Sequence, residues 1–245
     1  VTGTCGKSTV TAILGWLLAE AGLDPLVVNG AAIVGWDRNG RMGSVRKGAG
    51  PWAVIEADES DRSLLAFSPE HAVITNLSAD HFTLEETRIL FDRFRARVRG
   101  EVIEGEPAAD DILESPGGGS RFRFERQEFA VPLAGRHNLV NAWQAVRMAR
   151  RTGLDPETLR RHLATFPGVE RRLQRVGACG PAPVYDDYAH NPVKLSAVWN
   201  TLASGCERLV CVWRPHGYGP LQAMQDDLAA AFTRAMRPSD RLLLL

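Results

Sequence analysis

Short apolar runs alternate with helical patterns along the first hundred residues. A helix is predicted over residues 9–21, because its leucine and isoleucine side chains fall on one face and Gly22 follows as a stop. Apolar strands are predicted at residues 25–29, 52–55 and 71–75, and a second helix at about 84–98. Strands that alternate with helices favour a parallel α/β sheet.

The hydrophobic pattern changes after residue 100. Glycine, proline and acidic residues crowd together up to residue 132, which predicts a loop or a β-hairpin excursion. The glycine- and proline-rich stretch 168–183 predicts an interdomain hinge, and a second α/β unit follows it. Helices are predicted at 138–151, 156–165, 192–203 and 221–236, and strands at 184–185, 209–213 and 241–245.

The two ends of the sequence bear on its completeness. The chain opens at Val1 without a methionine, and the leucines at 242–245 are predicted to form a buried strand. A parallel sheet rarely ends on its own core strand, so we expect a fragment of a longer protein.

Composition narrows the possible functions. The chain has 245 residues, 44% of them hydrophobic, and its 29 basic and 29 acidic side chains give no net charge. The chain therefore lacks the excess of positive charge that is typical of proteins that bind nucleic acid or an anionic membrane, and neither partner is expected. Four cysteines without paired spacing, no signal peptide and no long apolar run predict a soluble protein of the reducing cytoplasm.

A glycine-rich segment stands directly before the first predicted helix. It contains Gly3, Thr4, Gly6, Lys7, Ser8 and Thr9 in the short form Gly-x-x-Gly-Lys-Ser, while Val1 stands where the full Walker pattern has glycine. Backbone amides of such a turn and the positive end of a helix bind phosphate, the lysine reaches the β- and γ-phosphates, and the serine binds magnesium. The alternative is a glycine turn that only caps the helix. Such a turn would need neither the lysine nor the two hydroxyl residues that follow it, so their presence favours phosphate binding.

Two further polar segments follow predicted strands. Residues 56–61 read Glu-Ala-Asp-Glu-Ser-Asp, and residues 75–81 end in Asp80-His81. Ligands bind at the carboxyl ends of strands in open α/β sheets, and carboxylates suit magnesium. The alternatives are a solvated acidic turn for residues 56–61 and a structural role for His81. Because both segments occur together with the glycine-rich segment, a ligand site is favoured.

These motifs resemble those of the Mur ligase family, most closely its UDP-N-acetylmuramate–alanine ligase branch. Further matches occur in the family's order at 135–138 with Asn141-Ala142, at 168–172 (Gly-Val-Glu-Arg-Arg), at 186–192 and at 215–216. The chain has no lysine between Lys47 and Lys194, so it cannot carry the carbamylated lysine of several other branches. The resemblance extends from residue 1 to about 220.

The resemblance implies a fold and an activity. The fold is α/β, with a central P-loop-type parallel-sheet ATPase domain at 1–168 and the start of a Rossmann-like C-terminal domain at 169–245; the N-terminal UDP-sugar domain is absent. The implied enzyme uses ATP and Mg²⁺ to join an amino acid, L-alanine in this branch, to the carboxylate of UDP-N-acetylmuramate. The reaction passes through an acyl phosphate and belongs to cytoplasmic peptidoglycan precursor synthesis, and its partners are small molecules.

The resemblance also implies residue roles. Catalytic roles fall to Lys7, Glu56, His81 and Arg172, and magnesium ligation to Ser8, Glu56 and His81. Nucleotide contacts fall to Gly3, Thr4, Gly6, Lys7, Ser8, Thr9, His137, Asn138, Asn141, Arg172 and Asp187. Substrate contacts fall to Asp58, Ser60, His190 and His216.

Departures from the family pattern leave alternatives open. Asn191 replaces a histidine, and Gly217 replaces an arginine that would contact a carboxylate or phosphate, so the amino acid is not fixed. Cys5 is either a small filler or a thiol acidified by the helix terminus. A peptide-recycling ligase, a Mur-type ligase acting on another carboxylate, an NTPase sharing only the phosphate loop, and an inactive binding subunit are the rival hypotheses.

Overall fold

A computed structural model describes residues 1–37, 42–78, 82–113, 115, 118–215 and 217–245. The chain divides into two compact units, Val1–Arg172 and Leu173–Leu245. The mixed α/β class predicted from the sequence is confirmed. None of the helices in these ranges has both the length and the apolar character needed to span a membrane.

The first unit contains four helices and eight strands in its described part. The helices are α1 (Lys7–Glu20), α2 (Leu84–Arg95), α3 (Arg136–Arg150) and α4 (Pro156–Leu163). The strands are β1 (Leu26–Val28), β2 (Val45–Arg46), β3 (Ala53–Ile55), β4 (Ala72–Val73), β5 (Val102–Ile103), β6 (Ile112–Leu113), β7 (Ser120–Phe124) and β8 (Gln127–Val131). Short 3₁₀ helices occupy Ser63–Ala66 and Ala109–Asp111.

The main sheet of this unit is parallel except at one edge. Strand β1 pairs parallel with β3 and antiparallel with β2, while β4 pairs parallel with β5. The first two residues join these pairs, because the Val1 carbonyl accepts from Ala57 N at 2.8 Å and Thr2 N donates to the Val73 carbonyl at 2.9 Å. The glycine segment therefore leaves the sheet centrally, between the carboxyl ends of β3 and β4.

Helix α1 is buried around most of its circumference rather than on one face. Val10, Ile13 and Leu17 are fully buried, and α1 packs against both α3 and α4. At Gly15 the helix approaches β1 so closely that an added Cβ would lie 2.9 Å from Val27. This packing fixes the helix whose first turn carries Lys7 and Ser8.

Strands β6, β7 and β8 form an antiparallel meander, in which Phe122 and Phe129 stack with ring centroids 5.4 Å apart. The predicted β-hairpin excursion is confirmed there. Strand β5 was not predicted, since Val102–Ile103 is too short a run to stand out among the glycine and acidic residues beside it.

The second unit contains the hairpin β9 (Gln174–Cys179) and β10 (Ala182–Asp186), followed by α5 (Pro192–Ala203), β11 (Val210–Trp213), α6 (Tyr218–Ala235) and β12 (Arg241–Leu244). Strands β11 and β12 pair in parallel. Its small core centres on Trp199, Trp213 and Phe232, whose rings meet edge to face.

Two sequence predictions for the second unit are wrong. The predicted hinge at 168–183 contains the boundary between the two units, but it is wrong from Gln174 onward, because β9 begins there and pairs with β10. Strand β12 forms, but it is not buried: Leu243 and Leu244 are 49% and 64% exposed. In the described residues its sheet has only two strands, so neighbouring structure covers little of these leucines.

Candidate functional site

The glycine turn, residues 3–6, lies between Thr2, which bridges to Ile74 in parallel, and the start of α1. Gly3 and Gly6 adopt φ values of 130° and 87°, which side chains rarely tolerate. Asn76, just after β4, holds the turn: its Oδ1 accepts from Thr4 Oγ1 at 2.7 Å and from Cys5 N at 2.9 Å. The turn is therefore fixed in a shape with little room for side chains.

The first turn of α1 has the properties of an anion site. Gly6 provides no side-chain cap, and no acidic residue lies in the first turn. The first backbone N–H groups of a helix have no intrahelical acceptor, and the helix dipole makes this end positive. Lys7, Ser8 and Thr9 therefore begin a helix whose free end suits a phosphate group.

Ser8 faces a carboxylate at the end of β3. Its Oγ donates to Glu56 Oε1 at 3.1 Å, and the other carboxylate oxygen accepts from Gly30 N at 2.6 Å. Gly30 follows β1, so three chain segments meet at this carboxylate. A hydroxyl and a carboxylate oxygen beside a phosphate site are ligands that Mg²⁺ accepts, usually together with water and phosphate oxygens.

Lys7 is held by the same acidic segment. Its Nζ lies 2.6 Å from Oε2 of buried Glu59 and 3.9 Å from Oδ1 of the more exposed Asp58. Burial raises the pKa of Asp58, but the Ser60 backbone N–H and Lys7 outweigh it and bring that pKa below its ordinary value. Both carboxylates belong to the predicted acidic run, although only Asp58 was assigned a role.

Helix α3 brings one of its predicted residues to the glycine turn. Asn141 is buried, and a Cβ on Gly6 would overlap its Oδ1. Asn138 is also buried, but its Nδ2 donates to the Ala134 carbonyl at 2.7 Å. The His137 side chain is exposed, and partial desolvation lowers its pKa below the ordinary value.

The predicted residues of the second unit are engaged with its own backbone. The Asp187 carboxylate accepts from Leu173 N at 2.7 Å and from Ala189 N at 2.8 Å. His190 Nδ1 lies 2.9 Å from the Tyr188 carbonyl. Asn191 caps α5, because its Oδ1 accepts from Lys194 N at 2.9 Å.

Three predicted residues complete the set, namely His81, His216 and Arg172. His81 and His216 lie outside the described residues. Arg172 ends the first unit, and its N–H donates to the Val169 carbonyl at 3.2 Å. Among the residues that the structure describes, no group of three or more His, Cys, Asp or Glu could hold a metal by itself.

Three contributors to the site were missed by the sequence reasoning. Glu59 and Asn76 lie inside the two polar segments at 56–61 and 75–81. The sequence does not show that Glu59 is buried, nor that the Asn76 side chain anchors the glycine turn. Gly30 could have been identified from its position directly after a predicted strand, because ligands bind at the carboxyl ends of strands in such sheets.

Comparison with known proteins gives two family matches. Residues 1–88 match the Mur ligase middle domain, and residues 171–245 match the Mur ligase glutamate ligase domain. A UDP-N-acetylmuramate–L-alanine ligase of Methylobacterium nodulans is 34% identical over 279 aligned residues, which cover 96% of this chain. The chain spans only 58% of that relative's length.

Solved structures agree in fold. A UDP-N-acetylmuramate–alanine ligase of Thermotoga maritima aligns with a TM-score of 0.76 at 22% identity, covering 100% of this chain and 65% of the other. A murein peptide ligase of Psychrobacter arcticus aligns with a TM-score of 0.63 at 18% identity, covering 100% and 68%.

Proposed function

Since this chain belongs to the Mur ligase family, we propose that it is the ATP-binding part of a ligase that joins an amino acid to a carboxylate. The carboxylate is that of UDP-N-acetylmuramate and the amino acid is L-alanine, as in the names of its curated relatives. The reaction serves peptidoglycan precursor synthesis in the cytoplasm.

One observation carries the proposal: Lys7 and Ser8 begin an uncapped helix while Glu56 lies 3.1 Å from the serine hydroxyl. We assign the glycine turn as a phosphate loop of the short Walker type. Its N–H groups and the first turn of α1 would bind the phosphates of ATP, and Lys7 would bind the β- and γ-phosphates. Asn141, beside Gly6, would contact the same nucleotide.

The residues present fit a magnesium ion. Ser8 Oγ and Glu56 Oε1 converge, both are hard oxygen ligands, and phosphate oxygens and water would complete the coordination. Magnesium, when bound, would neutralise phosphate charge and align the triphosphate. Three sets of roles rest on the family resemblance alone: His81 on magnesium, His137 and Asn138 at the nucleotide, and His190 and His216 near the substrates.

The chemistry requires activation, because a carboxylate is a poor electrophile. A carboxylate oxygen of the sugar attacks the γ-phosphorus of ATP, ADP leaves, and an acyl phosphate forms. The amine then attacks the acyl carbon, loses a proton, and expels inorganic phosphate as the C–O bond breaks. Lys7 and Arg172 would offset the developing negative charge, and loss of one such group commonly costs about 10²–10³ in rate.

We assign residues 1–168 to the central domain and 169–245 to the start of the C-terminal domain. The unit boundary after Arg172 and the family match that begins at residue 171 support a division near this position. In the second domain Asp187 would meet ATP. Its carboxylate is already oriented by two backbone N–H groups.

Phosphate release from the full-length protein tests the proposal. With ATP, Mg²⁺ and UDP-N-acetylmuramate, release should depend on one of the twenty amino acids, and Lys7→Met should abolish it. Lys47→Met is the matched control, since this lysine is exposed and lies in the same unit. Phosphate release that depends on neither the sugar nor the amino acid would instead support a simple NTPase.

A ligase with another acceptor is the second candidate. The departures at Asn191 and Gly217 favour it, although Asn191 has a structural role as the cap of α5. A tripeptide in place of the free amino acid, added to the same assay, distinguishes a peptide-recycling ligase from an alanine-adding one.

A further inference from the structure

Lys7 has a buried partner that the proposed reaction does not use. Its Nζ lies 2.6 Å from Oε2 of Glu59, whose side chain is 2% exposed, whereas that of Lys7 is 14% exposed. Asp58 is a weaker partner, because it lies 3.9 Å from Nζ and its side chain is 52% exposed. The ammonium group thus contacts mainly one carboxylate, and that carboxylate is almost withdrawn from water.

The local backbone fixes Glu59 in this position. Ser60 N donates to Asp58 Oδ1 at 2.9 Å, and Arg62 N donates to the Glu59 carbonyl at 3.0 Å. Leu64 N closes the turn on the Asp58 carbonyl at 3.1 Å, and Leu64 itself is fully buried. The turn after β3 therefore holds the Glu59 side chain inward, and the carboxylate has little freedom to leave Lys7.

We propose that Glu59 is a positioning residue that holds the Lys7 ammonium when no nucleotide is bound and competes with the terminal phosphates of the nucleotide for it. This inference rests on the proposed ATP site. A carboxylate and a phosphate both need the same ammonium donors, and a buried negative charge beside the site also repels an incoming polyphosphate. Glu59 therefore lowers the affinity for nucleotides whose β- and γ-phosphates reach Lys7.

The competition predicts a dependence on phosphate number. AMP has no phosphate that reaches Lys7, so its affinity should not depend on Glu59. ADP and a non-hydrolysable ATP analogue should both gain affinity when Glu59 loses its charge. A purely structural role for Glu59 would change the binding of all three nucleotides alike.

Equilibrium nucleotide binding, with Mg²⁺ and with EDTA, tests the inference on the purified protein. Glu59→Gln should bind the ATP analogue about tenfold more tightly than wild type, the order of one charge contact, and should bind AMP unchanged. In a Lys7→Met background the same substitution should give no gain. Glu20→Gln is the matched control, because this exposed carboxylate lies on the same helix as Lys7.

Unchanged or weaker binding of the analogue by Glu59→Gln would overturn the inference while leaving the ATP site intact. Failure of the wild-type protein to bind any nucleotide would overturn both. If Glu59→Gln does not fold, as judged by circular dichroism, Glu59→Asp keeps the charge but withdraws it from Lys7. That variant should show a smaller gain of the same sign, and no gain would contradict the competition.

Discussion

The N–H of Gly30 fixes the carboxylate that we assign to magnesium, and one added methyl group tests this contact. Gly30 N donates to Glu56 Oε2 at 2.6 Å, so a Cβ at this position would lie 2.8 and 2.9 Å from the two carboxylate oxygens. Gly30 does not have a positive φ, so alanine suits the backbone and disturbs chiefly the Glu56 contact. The carboxylate must move away from its donor.

The size of the effect follows from the bond that is weakened. A hydrogen bond to a charged group contributes about 1.5–3 kcal/mol. Disturbing a group that orients a metal ligand commonly lowers metal affinity or activity by about 10–100-fold. We therefore expect Gly30→Ala to raise the Mg²⁺ concentration for half-maximal ATP-dependent phosphate release by about tenfold or more.

The assay is a magnesium titration of phosphate release at saturating ATP. Gly177→Ala is the control, because an added Cβ at this β9 position would have no atom within 4 Å. The thermal unfolding midpoint of each variant shows whether the fold is intact. A folded Gly30→Ala protein with the wild-type magnesium dependence would refute the role that we give to the Gly30–Glu56 contact.

Three further predictions test other parts of the molecule. Asn76→Ala removes the anchor of the glycine turn and should weaken binding of the ATP analogue by about tenfold, measured by fluorescence titration; wild-type affinity would contradict the anchoring. Asn191→Ala removes the cap of α5 and should cost about 1 kcal/mol of unfolding free energy in a urea titration, whereas Asn191→Asp should retain most of it. Arg237 holds the pKa of Asp240 well below its ordinary value of 3.8, so the carboxylate stabilises the second unit above that pH and this contribution is lost as pH falls below it. Asp240→Asn should therefore lower the unfolding midpoint at pH 7 and differ less from wild type at pH 3, and an equal difference at both pH values would contradict the charge effect.

The sequence predicted those elements whose boundaries are marked by local chemistry. Helix α5 was predicted with its observed bounds, because Asn191-Pro192 marks its start and an apolar pattern follows. The start of α4 at Pro156 was likewise predicted, and Asp155 caps it there, because its Oδ1 accepts from Thr158 N at 3.0 Å. Where the burial of a segment depends on distant elements, as for the leucines of β12, the local pattern was insufficient.

The sequence motifs identified most residues of the candidate site, but they did not show which of these residues contact each other. The sequence named Ser8 and Glu56, and the structure brings them within 3.1 Å. It could not show that Glu59 rather than Asp58 is the buried partner of Lys7, because this depends on how the turn after β3 folds. Nor could it pair Gly30 with Glu56, since that contact joins the ends of two separate strands.

The central claim is that a carboxylate is activated by ATP, and an isotope measurement tests it most directly. UDP-N-acetylmuramate labelled with ¹⁸O in its carboxylate is turned over by the full-length protein with ATP, Mg²⁺ and the amino acid. An acyl phosphate transfers one carboxylate oxygen to phosphorus, so the released phosphate should carry one ¹⁸O atom. Unlabelled phosphate would mean that water attacks ATP, and would contradict the assignment of this chain to a carboxylate-activating ligase.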